Sequence, residues 1–177
     1  MTNRCAVVLC GGKGSRLGLL GKKIPKTLVK VQGKEILWYI IQFLKLSGFN
    51  NIILPLGYRG AQIKKFLKKN DNFGIKIKSF NTGINSNIRS RIEKIANYIQ
   101  EPNFLLLNGD AIFDFNLGKI VNHHCKKKYA VTFLSGEVTY QYGSIGMRKN
   151  KVIDFSRNLV FDKLSTKGNK NYIAYNY

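Results

Sequence analysis

Short apolar runs alternate along the chain with stretches in which apolar residues recur every three or four positions, a pattern that predicts strands and helices in turn. Ala6 to Cys10 reads as a buried strand, and Glu35 to Leu46, apolar on most sides and too long for a strand, as a buried helix. Asn51 to Leu56 predicts the next strand, ending at Gly57-Tyr58-Arg59-Gly60, and Ala61 to Lys69 a helix with Ile63, Phe66 and Leu67 on one face. In Ile75 to Phe80, Ile75 and Ile77 alternate with Lys76 and Lys78, as in a strand covered on one side. Ile88, Ile92, Ile95 and Ile99 recur at helical spacing, and Phe104 to Leu107 predicts a fourth strand. Strands separated by helices of this length favour parallel βαβ units and a three-layer α/β sheet. After Asp114 the pattern changes to a short helix, Leu117 to Lys126, and strands near Ala130 to Leu134, Ser144 to Met147 and Val152 to Phe155. The whole chain, 1–177, is therefore expected to form one domain, with residues 1–116 as its α/β half and 117–177 as a mixed-sheet extension.

The 177 residues suffice for a single core. The longest apolar stretch, Ile36 to Leu44, is far too short to cross a bilayer, and the five apolar residues after Arg4 do not make a secretory signal, so a cytoplasmic protein with no membrane partner is expected. Three cysteines, Cys5, Cys10 and Cys125, have no metal-binding spacing and read as reduced structural thiols. The net charge of +21 invites a nucleic-acid reading, but the lysines are spread along the whole chain and no aromatics interleave with them as a stacking platform requires. Charge of this kind speaks to non-specific association rather than to function.

The chemistry begins where the first strand ends. Cys10-Gly11-Gly12-Lys13-Gly14-Ser15-Arg16-Leu17 follows it, and Lys26 comes ten residues after Arg16. Glycines let the backbone approach phosphate oxygens and aim N–H groups at them, while Arg16 and Lys26 bring positive charge to a reacting phosphoryl group. Two better-known glycine loops fail on spacing. The dinucleotide fingerprint would need its third glycine at Leu17, and the P-loop would need a hydroxyl residue where Gly14 stands. A triphosphate-binding loop is expected, against the plainer possibility of a structural turn.

Asn108-Gly109-Asp110 directly follows the fourth strand. Ligands of open parallel sheets sit beyond the carboxyl ends of strands, so this loop and the glycine loop should meet over one crevice. A lone carboxylate there suits Mg²⁺, which keeps several waters and binds through substrate phosphates. Asp114 would assist or cap the next helix. Asp110 as a polar turn residue is the alternative.

The segments LCGGKGSRL (9–17), IPKTLVKVQGKEILWYII (24–41), LGYRG (56–60) and LLLNGDAIFDFNL (105–117) resemble the nucleotidyltransferases that make nucleotide sugars from sugar 1-phosphates. The resemblance covers nearly the whole chain and is strongest to the cytidylyltransferase branch, including glucose-1-phosphate and capsule phosphoramidate cytidylyltransferases. It implies a Rossmann-like fold of the GT-A kind, and a reaction in which an acceptor phosphate attacks the α-phosphorus of a nucleoside triphosphate, CTP by preference, and expels pyrophosphate. Arg16 should then stabilise the departing pyrophosphate, Lys26 bridge the reacting phosphates and Asp110 hold Mg²⁺. The nucleotide should be met by Leu9, Gly11, Gly12, Gly14, Ser15, Thr82, Gly83, Ser86, Arg91 and Gly109. Without the resemblance, Ser86 reads as a helix cap and Arg91 as a solvated arginine. Arg89 and Ser90 stand where the branch has small glycines, and neither the loop nor Asp110 chooses a base, so a guanylyl-, uridylyl- or thymidylyl-transferase stays open; the charge and the missing second aspartate leave open a catalytically silent nucleotide binder. Such a transfer needs little acid–base work, in keeping with the scarcity of acids. His123 and His124 read as surface residues.

The extension is expected to carry the acceptor site. Val160-Phe161-Asp162-Lys163 resembles a signature of the family, and Tyr172 to Asn176 its asparagine-bearing strand. The small phosphorylated acceptor, a sugar 1-phosphate or a phosphoramidate precursor, should then meet Asp162, Lys163 and Asn176. The chain stops at Tyr177, where the resemblance implies further strands and a second metal-binding aspartate, so a fragment, a naturally shortened copy or a subunit completed by a partner is expected. A homo-oligomer could complete it.

Overall fold

The computed structural model of the chain describes residues 4–14, 17–134, 139–140, 144–156, 159–160, 163–165 and 173–175. Two compact units divide it, residues 1–120 and 121–177. In chain order the first contains β1 (Cys5–Leu9), α1 (Gly18–Lys23), a hairpin of β2 (Lys30–Val31) and β3 (Lys34–Glu35), α2 (Ile36–Leu46), β4 (Asn51–Leu56), α3 (Gly60–Lys69), β5 (Lys76–Asn81), α4 (Ile88–Ile95) and β6 (Phe104–Asn108). α5 (Leu117–Lys127) follows.

β1, β4, β5 and β6 form a parallel sheet in the order β5-β4-β1-β6. Cys5 pairs with Asn51 on one side and Phe104 on the other, so the three strands start level and their carboxyl ends gather at one edge of the sheet. Cys5, Val7 and Ile53 pack with Ile95 of α4. Ala6 and Val8 alternate to the opposite face and are equally buried, so β1 is covered on both sides, and all six residues of β4 are buried too. Outer strand β5 shows the alternation its sequence predicts, Lys76 and Lys78 exposed and Ile77 half-buried; lysines on an edge strand discourage pairing with another chain. α4 ends at Ile95, one 3-10 turn follows, and Ile99 still packs against the cluster begun by Cys5 and Val7. Cys5 and Cys10 are buried free thiols, each pushed up to about 12 mainly by burial, and Cys125 is an exposed free thiol.

In the second unit β8 (Ser144–Arg148) pairs antiparallel with β9 (Lys151–Ser156), with a bulge at Gly146 and Met147. β7 (Thr139–Tyr140) pairs with β10 (Leu159–Val160), and β11 (Lys163–Ser165) with β12 (Ile173–Tyr175). The strand expected at Ala130 to Leu134 does not form. Among the described residues no strand pairs with them, and Val131 and Phe133 are exposed: alternation without a paired strand gives the backbone no partners for its hydrogen bonds. Thr132 is met instead by a side chain, its Oγ1 lying 2.8 Å from His124 Nδ1. His123 is exposed, as expected, and its ring lies near that of Tyr129.

Candidate active site

The ends of β1 and β6, residues 84–88 after β5 and the segment around Lys26 line a crevice of about 620 Å³ on the first unit. The loop leaving β1 turns at Gly14, whose φ of +63° lies in the left-handed region that glycine occupies without penalty, and the Gly14 carbonyl accepts the Leu17 N–H at 2.9 Å. α1 follows, and two side chains from beyond β4 hold its final carbonyls. Arg59 donates to Lys22 O, and Gln62 Nε2 to Lys23 O at 3.1 Å. Arg59 is itself left-handed, at φ 54°, with its guanidinium over the Tyr58 ring.

Past this anchored helix end, Lys26 occupies a single 3-10 turn, Lys26–Leu28, and its Nζ donates to Asp110 Oδ2 at 2.5 Å. Both side chains remain about two-fifths exposed, at 39% each. Asp110 is brought there by Gly109, whose N–H donates to Leu9 O at 3.0 Å and so ties the end of β6 to the end of β1. Asp114 is exposed and does not line the crevice; the side chain that caps α5 is Asn116, whose Oδ1 accepts from Lys119 N at 3.0 Å. Among the described residues no group of three or more histidine, cysteine or acidic side chains could hold a metal ion. The donor set suits a hard cation that takes one carboxylate from the protein and its remaining oxygens from phosphate and water, as Mg²⁺ does.

The opposite wall is residues 84–88 with Arg91. Ser86 donates to Thr82 O and accepts from Lys94 Nζ at 3.2 Å. The cap of α4 is not Ser86 but its neighbour Asn87, whose Oδ1 accepts from Ser90 N at 2.8 Å. Arg91, in turn, is not solvated: it is 5% exposed. Nη1 donates to Thr82 Oγ1 at 2.7 Å and Leu56 O at 3.2 Å, and Nη2 to Gly11 O at 3.1 Å. Desolvation pulls its pKa below the usual arginine value.

Of the residues expected to meet a nucleotide, Leu9, Gly11, Gly12, Gly14, Lys26, Ser86 and Arg91 line the crevice, as does Asp110, the expected metal ligand. Thr82 is buried behind them, tied to Leu56 O through both its N–H and its hydroxyl at 2.8 Å, and Gly83 and Gly109 act as turns rather than walls. Ser15, Arg16, Asp162 and Asn176 lie outside the described residues. Pairing of β11 with β12 sets Lys163 opposite Tyr175, one residue before Asn176 in sequence. Sequence reasoning missed Thr27, which lines the crevice with its Oγ1 buried and without a hydrogen-bond partner among the described residues, and the Arg59 and Gln62 contacts to α1. An arginine between two glycines at the end of a strand was the available signal for the latter.

Fold and site together define an α/β protein whose glycine loop, lysine and aspartate converge beyond the carboxyl ends of a parallel sheet. The chain belongs to the nucleotidyl transferase family, whose profile matches residues 5–156. It is 30% identical to a Bacillus subtilis protein described as "Probable glucose-1-phosphate cytidylyltransferase", over 92% of this chain and 72% of that one. It is also 30% identical to D-glycero-alpha-D-manno-heptose 1-phosphate guanylyltransferase of Campylobacter jejuni, over 89% of this chain and 70% of the relative. The crystal structure of HddC from Yersinia pseudotuberculosis complexed with GMP-PN shares the fold, with a TM-score of 0.64 and 24% identity over 89% of this chain and 71% of that one. Among the described residues no helix is long and apolar enough to cross a membrane.

Proposed function

We propose that the protein transfers a nucleoside monophosphate from a nucleoside triphosphate, CTP by preference, to a sugar 1-phosphate or a similarly small phosphorylated acceptor. An acceptor phosphate oxygen forms a bond to the α-phosphorus, the α–β bridging bond breaks, and pyrophosphate leaves with its electron pair. The observation that carries this reading is the meeting of Lys26 and Asp110 at 2.5 Å in a crevice walled by the glycine loop.

In this reading the backbone of Gly11, Gly12 and Gly14 cradles the triphosphate, Arg16 steadies the pyrophosphate, and Lys26 bridges the reacting phosphates. Asp110 would hold Mg²⁺, which when bound neutralises charge on the phosphate oxygens. A phosphate nucleophile is already ionised, so the chain's own work is positioning and charge neutralisation rather than proton transfer. Ser86 and the 84–88 segment would face the nucleoside, and Asp162, Lys163 and Asn176 the acceptor. The cytosine preference is supported by the Bacillus relative; the Campylobacter relative, at equal identity, favours guanine as the second reading.

Thermal melting with CTP, GTP, UTP and dTTP, with and without Mg²⁺, tests the first step, since a ligand at 100 times its Kd adds about 2.7 kcal/mol to folding. A shift confined to CTP, followed by pyrophosphate release with a sugar 1-phosphate, is the expected result. A GTP-specific shift replaces the cytosine preference, and no shift with any triphosphate defeats the reading.

A further inference from the structure

Arg91 is a buried cation with no ion-pair partner among the described residues. Its acceptors are neutral and come from three stretches of chain: Gly11 O after β1, Leu56 O at the end of β4, and Thr82 Oγ1 after β5. A fourth contact, to Ile84 O at 3.5 Å, lies at the limit of hydrogen bonding. Arginine suits this place because its planar fork serves several acceptors at fixed angles, which an ammonium cannot do.

Two glycines make the seat. A Cβ on Gly11 would overlap the guanidinium itself, and one on Gly57 would come within 2.8 Å of Nη1 and 2.7 Å of Gly11 O. Gly57 therefore accounts for part of the Leu56-to-Gly60 motif that the reaction does not use.

We propose that Arg91 is a positioning residue that aims the glycine loop at the triphosphate, acting through the Gly11 carbonyl rather than by touching the nucleotide. Gly11 O is fixed from two sides, by Arg91 Nη2 at 3.1 Å and by Tyr58 N at 3.3 Å. In a planar trans peptide the N–H points opposite to the C=O, so turning Gly11 O toward the guanidinium turns the Gly12 N–H away from it. Gly12 is exposed, lines the crevice and has open space around its Cα. With both Nη nitrogens engaged by the protein, what Arg91 offers the ligand is the direction of that N–H. This role rests on the proposed triphosphate-binding reading.

A double-mutant cycle between Gly11→Ala and Arg91→Ala tests it, read as Kd for CTP and CMP, or GTP and GMP if guanine is preferred, with a melt of each variant to establish folding. Each single change is expected to weaken triphosphate binding roughly tenfold, the size of a lost charge-assisted hydrogen bond, and monophosphate binding less than about twofold. The methyl group of Gly11→Ala acts by evicting the guanidinium, so in the Arg91→Ala background it should add nothing. If Arg91→Ala does not fold, Arg91→Lys carries the same cycle. Additive losses, or equal losses for tri- and monophosphate, overturn the positioning role while leaving the functional reading intact. Failure of the wild-type protein to bind any triphosphate overturns both.

Discussion

Lys26 and Asp110, 84 positions apart in sequence, meet through a 2.5 Å hydrogen bond between Nζ and Oδ2 at the mouth of the crevice. Both are too exposed for the pair to matter much to stability; exposed ion pairs contribute about 0–1 kcal/mol. Lys26→Ala and Asp110→Asn should therefore shift the melting temperature little yet lower nucleotidyl transfer at least about 100-fold, as removal of a charge-stabilising donor does elsewhere. Parallel melts and pyrophosphate-release assays check this; a loss of activity matched by unfolding would make the pair structural.

Thr27 leads to an opposite expectation. Its hydroxyl is buried and has no hydrogen-bond partner among the described residues, and a buried polar group left unpaired costs about 1–3 kcal/mol. Thr27→Val keeps the shape and removes the penalty, so it should stabilise the protein by about 1 kcal/mol. Chemical denaturation measures the change. A loss of stability would show that the hydroxyl has a partner in solution.

Arg59 combines a cost with a benefit at one position. Its φ of 54° strains any residue with a side chain, by about 1–2 kcal/mol, while its guanidinium holds the end of α1. Arg59→Gly relieves the strain and loses the contact, whereas Arg59→Ala loses the contact and keeps the strain. The glycine variant should be the more stable of the two by about 1 kcal/mol, with the melting order as the readout. Reversal of that order would mean the backbone at 59 relaxes when the arginine is gone.

The thiols give a prediction in pH. Cys5 and Cys10 are pushed from 9.0 up to about 12 in the folded state, mainly by burial, while unfolding returns them toward 9.0. Between those values the unfolded chain holds fewer protons than the folded one, so stability should fall as pH rises from about 9 to 12 and stay flat from this source below 9. Cys10→Ala should flatten the alkaline slope. Under native conditions a thiol reagent should modify Cys125 rapidly and the two buried cysteines only after unfolding. Fast modification of more than one thiol in the native protein would contradict the burial of β1.

Elements with strong periodicity were legible to within a residue or two. The range of β4 matches the apolar run from Asn51 to Leu56, and α2 and α3 follow their apolar faces, because burial of those faces decides the structure. The six residues of α1 are too few to show a period, and long-range contacts from Arg59 and Gln62 hold its end. Ala130 to Leu134 has the alternation of a strand but no neighbour to pair with among the described residues. At the site, Asp110 was legible from its place after a strand. The burial of Arg91 was not: the acceptors that make it tolerable lie up to 80 positions away, and a charged residue in an amphipathic stretch ordinarily reads as solvated. Ser86 and Asn87 are both good cap formers in adjacent positions, and only side-chain geometry separates them.

Burying the Arg91 guanidinium also bears on how the molecule assembles. Its charge leaves water on terms set by the Gly11, Leu56 and Thr82 oxygens, which lie at the exits of β1, β4 and β5 and converge only once those three strands are paired. A chain with a disordered glycine loop would leave Nη2 without its Gly11 acceptor, while Nη1 keeps Leu56 O and Thr82 Oγ1. One guanidinium thus ties the glycine loop to the exits of β4 and β5, so the shape of this wall of the crevice and the closure of the sheet edge share the same hydrogen bonds.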